Sequence, residues 1–337
     1  MRGLFCLMAV VLCCATQVAA AEQEDSFAAN RRQAQYYLRL HRVAEALPFL
    51  EKAAAVNPTD YDNGYDLALA RLETKDLAGA KRLLQEMISR QDRSELHNVL
   101  GDVEEAGGNI DEAERQYEQA ARMDPSEKNL FDLGTDLLRH QARQQALTVF
   151  EFAGTKYPKV ARIQVGLGVA LYSAGKYEAA VETLCRAVDL DPSDTKALDF
   201  LGGMYDVSPE LADEVTKRLA HFVELYPDNA AANYYYALSL RRRNLSPRTD
   251  GSQQLVERLL KKSLRLRPDY AAAHYQLGLL YSDQHRVPEA VRELEQTTRL
   301  DPQLKAAHYR LSQLYAQEGK ADLSRRQLDI FKSLKDR

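Results

Sequence analysis

Residues 268–302 read PDYAAAHYQLGLLYSDQHRVPEAVRELEQTTRLDP. Small and apolar residues recur there at spacings of three and four, as they do in KAAHYRLSQLYAQ at 305–317, without strand-like alternation. The stretch predicts two short helices with a turn between them, and a proline just past the second as a stop signal. Its closing phrase, Leu300-Asp301-Pro302, has near-copies in Met123-Asp124-Pro125, Leu190-Asp191-Pro192 and Leu225-Tyr226-Pro227. Pro58, Pro125, Pro158, Pro192, Pro227, Pro268 and Pro302 stand 67, 33, 34, 35, 41 and 34 residues apart, and Asp92 holds the mark missing from the first, double gap. A period near 34 is that of a solenoid, in which neither helix of a pair buries its apolar stripe alone and neighbours must stack. Glycine often marks the turn between helices, at Gly108, Gly175 and Gly319.

Within each period the same residue types return. Residues 268–302 hold Leu277-Gly278, Tyr281, Ala290 and Leu294. Earlier copies hold Leu100-Gly101, Ala113, Tyr117, Ala120 and Pro125; then Leu133-Gly134, Ala146, Phe150, Ala153 and Pro158; then Leu167-Gly168, Ala180, Leu184, Ala187 and Pro192. Tyr37, Ala46, Leu50, Ala53 and Pro58 fit a first copy, Leu67, Ala68, Ala80 and Leu84 a second, and Leu311, Tyr315 and Leu328 a last one. On these residues the chain resembles the tetratricopeptide repeat (TPR) family, whose pattern has Leu-Gly at positions 7–8, Tyr at 11, Ala at 20, an apolar residue at 24, Ala at 27 and Pro at 32. The resemblance implies an all-α, right-handed superhelical solenoid of about nine helix-turn-helix repeats. They fall near 26–58, 59–92, 93–125, 126–158, 159–192, 193–227, 228–268, 269–302 and 303–337, within a mature chain of 22–337. Small residues at positions 8 and 20 let paired helices approach, and larger ones at 7, 11 and 24 fill the space between. Two repeats depart from the pattern. The sixth has Val215 near position 20 and a cap-like Ser208-Pro209-Glu210, and the seventh carries a loop insertion at 241–254.

Residues 1–21 read as a secretory signal peptide: Arg2, an apolar run from Leu4 to Ala15, then Val18-Ala19-Ala20-Ala21. The run is too short to span a bilayer, which needs roughly 20 residues, and no other stretch comes close, so no integral membrane span is expected. Cys6, Cys13 and Cys14 lie in this segment, which leaves Cys185 as the one cysteine of the mature chain, without a partner for an internal disulfide. Export without a span or a disulfide points to the periplasm, with secretion as the alternative. The composition, 45% hydrophobic and 28% charged with a net charge of −4, is that of an ordinary soluble chain and gives no general case for nucleic-acid binding.

The sequence carries no HExxH, no CxxC and no P-loop, so no metal, no cofactor and no catalytic residue is assigned and the chain is expected not to be an enzyme. Of the seven histidines, His97, His274 and His308 share position 4, a packing slot, while His41, His140, His221 and His285 are scattered. The resemblance implies a binding face on the first helix of each repeat. At position 5 or beside it stand Tyr65, Phe131, Tyr172, Tyr234, Tyr235, Tyr275 and Tyr309, which offer contact area with a hydrogen-bonding tip. Arg241, Arg242 and Arg243 are candidates for an anionic partner. Two groove types known in the family are not matched: Asn98 and Lys128 lack the rest of a carboxylate clamp, and position 6 has no asparagine ladder. Residues 59–127 hold 17 acidic and 8 basic side chains, and 241–268 hold 2 and 9, an asymmetry that can steer a partner. The reading is an exported scaffold for a peptide or protein partner, with envelope assembly, secretion or polysaccharide export as the settings the resemblance implies. The alternatives are a self-associating array, and, further off, a carbohydrate-binding module or enzyme using groove tyrosines with Asp102 and Glu105.

Overall fold

In seven of the periods two antiparallel helices form because a turn of one kind recurs between them. His41, Lys75, Gln141 and His285 adopt φ of 54–67°, and Gly108, Gly175 and Gly319 adopt φ of 73–79°. The next residue then donates its N–H to the carbonyl five residues back: Arg42 to Tyr37, Asp76 to Arg71, Asn109 to Glu104, Ala142 to Leu137, Lys176 to Leu171, Arg286 to Tyr281 and Lys320 to Tyr315, at 2.8–3.0 Å. This left-handed helix end satisfies carbonyls that would otherwise lack donors.

The computed structural model describes residues 26–204, 209–243 and 250–334. They divide into two compact units at Thr155/Lys156. The first holds α1 (26–39), α2 (Val43–Val56), α3 (Tyr61–Glu73), α4 (Leu77–Arg90), α5 (Ser94–Ala106), α6 (Ile110–Met123), α7 (Glu127–Arg139) and most of α8 (Arg143–Lys156). The second holds α9 (Ala161–Ser173), α10 (Tyr177–Leu190), α11 (Lys196–Met204), α12 (Pro209–Leu225), α13 (Ala230–Arg243), α14 (Asp250–Leu266), α15 (Ala271–Asp283), α16 (Val287–Leu300), α17 (Lys305–Gln317) and α18 (Ala321–Ser333). Among the described residues all regular structure is helical, in nine consecutive pairs. Within each unit, second helices also pack on the first helix of the following pair, as α4 does on α5 and α14 on α15. That is solenoid stacking.

Close approach is built where the repeat pattern is small. A Cβ on Gly278 would lie 2.8 Å from Leu294 Cγ, and one on Gly134 would lie 2.6 Å from the Phe150 ring. The position-20 alanines Ala46, Ala80, Ala113, Ala146, Ala180 and Ala290 are fully buried. In the sixth repeat Val215 is buried, and Gly202 is covered by the Tyr235 ring of the next repeat. Residues 241–243 of the insertion continue α13 and 250–254 begin α14. Residues 244–249 lie outside the described residues, as do Ser208 and the segment 1–21 that reads as a signal peptide. No helix among the described residues is long and apolar enough to cross a membrane.

The three position-4 histidines are structural bridges. Their Nδ1 atoms lie 2.6 Å from Gln116, Glu293 and Gln327 on the second helix of the pair. Nε2 of His274 and His308 meets the carbonyls of Pro268 and Pro302 at 3.0 Å, whereas Nε2 of His97 meets Asp92 at 2.8 Å. The Cys185 thiol, pushed up to about 12 by burial, lines a cavity of about 40 Å³ with Leu198, Leu219 and Phe222.

Candidate functional site

The aromatic candidates are not alike. In the second unit Tyr234 is buried, with its ring 4.8 Å from those of both Tyr235 and Tyr270. Tyr270 precedes α15 and caps Tyr234, so Tyr234 belongs to the core. Tyr235 donates its hydroxyl to Asp199. Burial, then that hydrogen bond, drives its phenol well above the usual range. Tyr275 is half-buried; burial raises its phenol, and the charges of Arg310 and Arg241 pull it back. Tyr309 is 41% exposed and leans on Phe331 of α18, 5.1 Å away. Tyr172 packs on Tyr177 at 5.4 Å. The structure thus gathers Tyr275, Tyr309, Arg241 and exposed Arg310 on the first helices α13, α15 and α17.

The arginines at the end of α13 are engaged within the fold. Arg241 donates to the Gln276 carbonyl at 3.1 Å and its Oε1 at 2.7 Å, and pairs with Asp283 at 3.0 Å. Arg242 donates to the Gly202 carbonyl at 3.3 Å. The side chain of Arg243 lies outside the described ones.

In the first unit, Tyr65 stacks on Tyr61 at 6.2 Å, and Tyr61 donates to Glu95 at 2.9 Å under the Arg93 guanidinium. Phe131 packs edge-on to Phe150 at 6.2 Å. Neighbouring first helices are tied by polar contacts: Arg31 with Asp66 at 2.8 Å, and Asn98 with Asp132 at 2.9 Å. Lys128 bonds to both Asn98 and Asp132. The two residues that echoed a carboxylate clamp are therefore committed to an internal carboxylate.

A second cluster was not legible as a site from spacing. Glu105 near the end of α5, Asp136 in the last turn of α7 and His140 just after it place one donor atom each within 4.8 Å of one another. His140 Nε2 lies 3.5 Å from Asp136 Oδ1 and 3.7 Å from Glu105 Oε1. Asp136 is 1% exposed, and neither of its oxygens has a hydrogen-bond partner; Glu105 Oε2 and His140 Nε2 also lack one. Burial, then the facing Glu105, pushes the Asp136 carboxyl up to about 7. Burial also works against the Glu105 charge, but Asp136, Arg139 and His140 outweigh it and hold that carboxyl low. Asp102 is set apart from this cluster: it accepts from Tyr117 at 2.8 Å.

Three family profiles described as tetratricopeptide repeat match the chain, one over 131–195 and 275–329, one over 37–103 and one over 94–127. No curated protein matches the sequence. Among solved structures the chain is similar to yeast Tom70, at 17% identity over 85% of this chain and 60% of that one, with a TM-score of 0.55. It is also similar to a chain of the APC/C hetero-tetramer Cut9-Hcn1, at 16% identity over 83% of this chain and 54% of that one, with a TM-score of 0.44. YrrB, a TPR protein with an unusual peptide-binding site, matches at 20% identity over 49% of this chain and 87% of that one, with a TM-score of 0.40. This chain spans less than two thirds of the Cut9-Hcn1 and Tom70 chains, and likeness at these identities speaks to the fold alone. The three profiles together span more than half of the residues and agree with the nine helix pairs, and the chain belongs to the tetratricopeptide-repeat family.

Proposed function

We propose that this chain is an exported scaffold that binds an extended peptide or protein segment on the first helices of its second unit. The observation that carries the reading is the patch on α15 and α17: exposed Tyr309, half-buried Tyr275 and the exposed Arg310, whose charge acts on Tyr275. Flat phenol rings give contact area at low entropic cost, and guanidiniums favour carboxylates and backbone carbonyls. Binding is equilibrium recognition on a preformed surface, with no bond made or broken. Residues 1–21, with their basic start and apolar core, support export, and the periplasm is the compartment this reading favours. Envelope assembly, secretion or polysaccharide export would be the setting.

The test is capture from native envelope extract with crosslinking, comparing the wild type with a Tyr275→Ala/Tyr309→Ala variant whose thermal unfolding is checked in parallel. The reading expects one protein captured by the wild type and lost with the folded variant. Equal capture by both removes the patch from the account. Capture of the chain itself alone, released by high salt, favours a self-associating array held by the acidic 59–127 and basic 241–268 segments.

A further inference from the structure

We propose that Glu105, Asp136 and His140 bind a single divalent transition-metal ion at the junction of the third and fourth repeats. The first ground is a buried carboxyl group whose oxygens no donor satisfies. Asp136 is 1% exposed, is aimed at Glu105 and His140, and has no hydrogen bond to either oxygen. A buried carboxylate without donors is costly, whereas one that ligates a cation is not. Arg139 pairs with Glu105 Oε1 but stays 4.0 Å from Asp136 and is half exposed, so it leaves Asp136 and Glu105 Oε2 unmatched.

The second ground is the repeat itself. With the Leu of each Leu-Gly pair as position 7, Asp136 stands at position 10. The same place holds Ala70, Val103, Ala170, Leu280 and Leu314 in five other repeats, all buried and apolar; the seventh has buried Ser239, whose hydroxyl donates to the Tyr236 carbonyl at 2.9 Å, and the first has exposed Tyr36. Where the place is buried, the frame takes an apolar side chain or a small hydroxyl satisfied within its own helix, and packing does not explain an aspartate whose oxygens have no hydrogen bond.

The third ground is donor chemistry and spacing. Two carboxylates and an imidazole form a nitrogen–oxygen donor set suited to Zn²⁺. With metal–ligand bonds of about 2.0–2.2 Å, tetrahedral ligands lie about 3.3–3.6 Å apart. The imidazole-to-carboxylate separations of 3.5 and 3.7 Å are close to that span. The cluster also sits at the C-terminal ends of α5 and α7, where the helix dipole favours positive charge.

The test is a calorimetric titration of the chelator-stripped full chain with Zn²⁺, alongside Asp136→Asn and His140→Asn. His221→Asn, which alters an exposed histidine on α12, is the control. The proposal expects one equivalent bound by wild type and control, with affinity more than about 100-fold weaker in both site variants, beyond the loss typical of a mere supporting residue. Co²⁺ in place of Zn²⁺ should give a visible spectrum with nitrogen and oxygen ligation that both site variants abolish. Asp136→Asn removes a buried charge and should keep the helical signal; if it fails to fold, His140→Asn decides alone. No Zn²⁺ uptake by the wild type would overturn the proposal and leave a proton shared between Glu105 and Asp136 as the occupant. Zn²⁺ retained by the folded site variants would overturn it equally, by placing the ion elsewhere.

Discussion

The junction between the third and fourth repeats and that between the seventh and eighth use the same positions with opposite contents. At position 12 of the earlier repeat stands Glu105 in one and Arg241 in the other; at position 13 of the later repeat stand Arg139 and Asp283. Each couple forms an ion pair, Glu105 with Arg139 and Arg241 with Asp283, so the bridge is conserved in place and reversed in sign. Beneath it, position 10 holds Asp136 in the first junction and Leu280 in the second, both buried. The comparison separates frame from content. The left-handed turn and the position-8 glycine set where side chains go, and the side chains placed there decide whether a junction is a closed core or a polar pocket.

The largest effect should come from moving the content across. Leu280→Asp puts a carboxylate into the apolar junction, where Arg241, the charge standing in the place of Glu105, is already paired with Asp283 and bonded to Gln276. Denaturant unfolding should show a loss of ~3–5 kcal/mol, the scale of an uncompensated buried charge. A neutral result would mean that this position tolerates a carboxylate anywhere, and Asp136 would lose its special standing. Next comes the frame common to both junctions. Gly278→Leu forces a side chain against Leu294 Cγ and the Ala290 carbonyl, and should cost ~1–3 kcal/mol in thermal unfolding. An unchanged melting curve would show that the helices do not depend on that approach.

The smallest effect is a pH dependence from the histidine bridge of the eighth repeat. Burial opposes charge on His274, but the hydrogen bonds to Glu293 and the Pro268 carbonyl outweigh it and raise its pKa above the ordinary value. A group raised on folding adds stability that is fully present below its unfolded pKa, about 6.5. That contribution is lost as pH rises through the folded value. Stability of the wild type relative to His274→Gln should therefore decline from pH 6 towards pH 8. A pH-independent difference would mean that the bridge works without the charge.

Much of the fold is legible in the sequence because a solenoid writes its packing once per period. Proline spacing marks the helix ends, and Leu-Gly with the position-20 alanine marks the close approach. The turn was legible where glycine occupies it; His41, Lys75, Gln141 and His285 take the same left-handed conformation without that signal. The aromatic row at position 5 was legible only as a register. Position 5 alone does not reveal that Tyr234 is capped by Tyr270 while Tyr309 stays open. The run Arg241-Arg242 reads as free positive charge, yet Gln276, Asp283 and the Gly202 carbonyl claim it. The Glu105–Asp136–His140 cluster escaped motif reading because its members come from two repeats, and His140 looks scattered until α5 and α7 stand side by side. An aspartate at a position that is apolar in most repeats was the available signal.

The central claim is that the first-helix patch of the second unit, and not the outer helices, meets the partner. A photo-crosslinking amino acid placed at Tyr309, and separately at exposed Arg292 on α16, tests it most directly in native envelope extract. The account predicts one defined adduct from position 309 and none from position 292. The same adduct from both positions, or from position 292 alone, would contradict it.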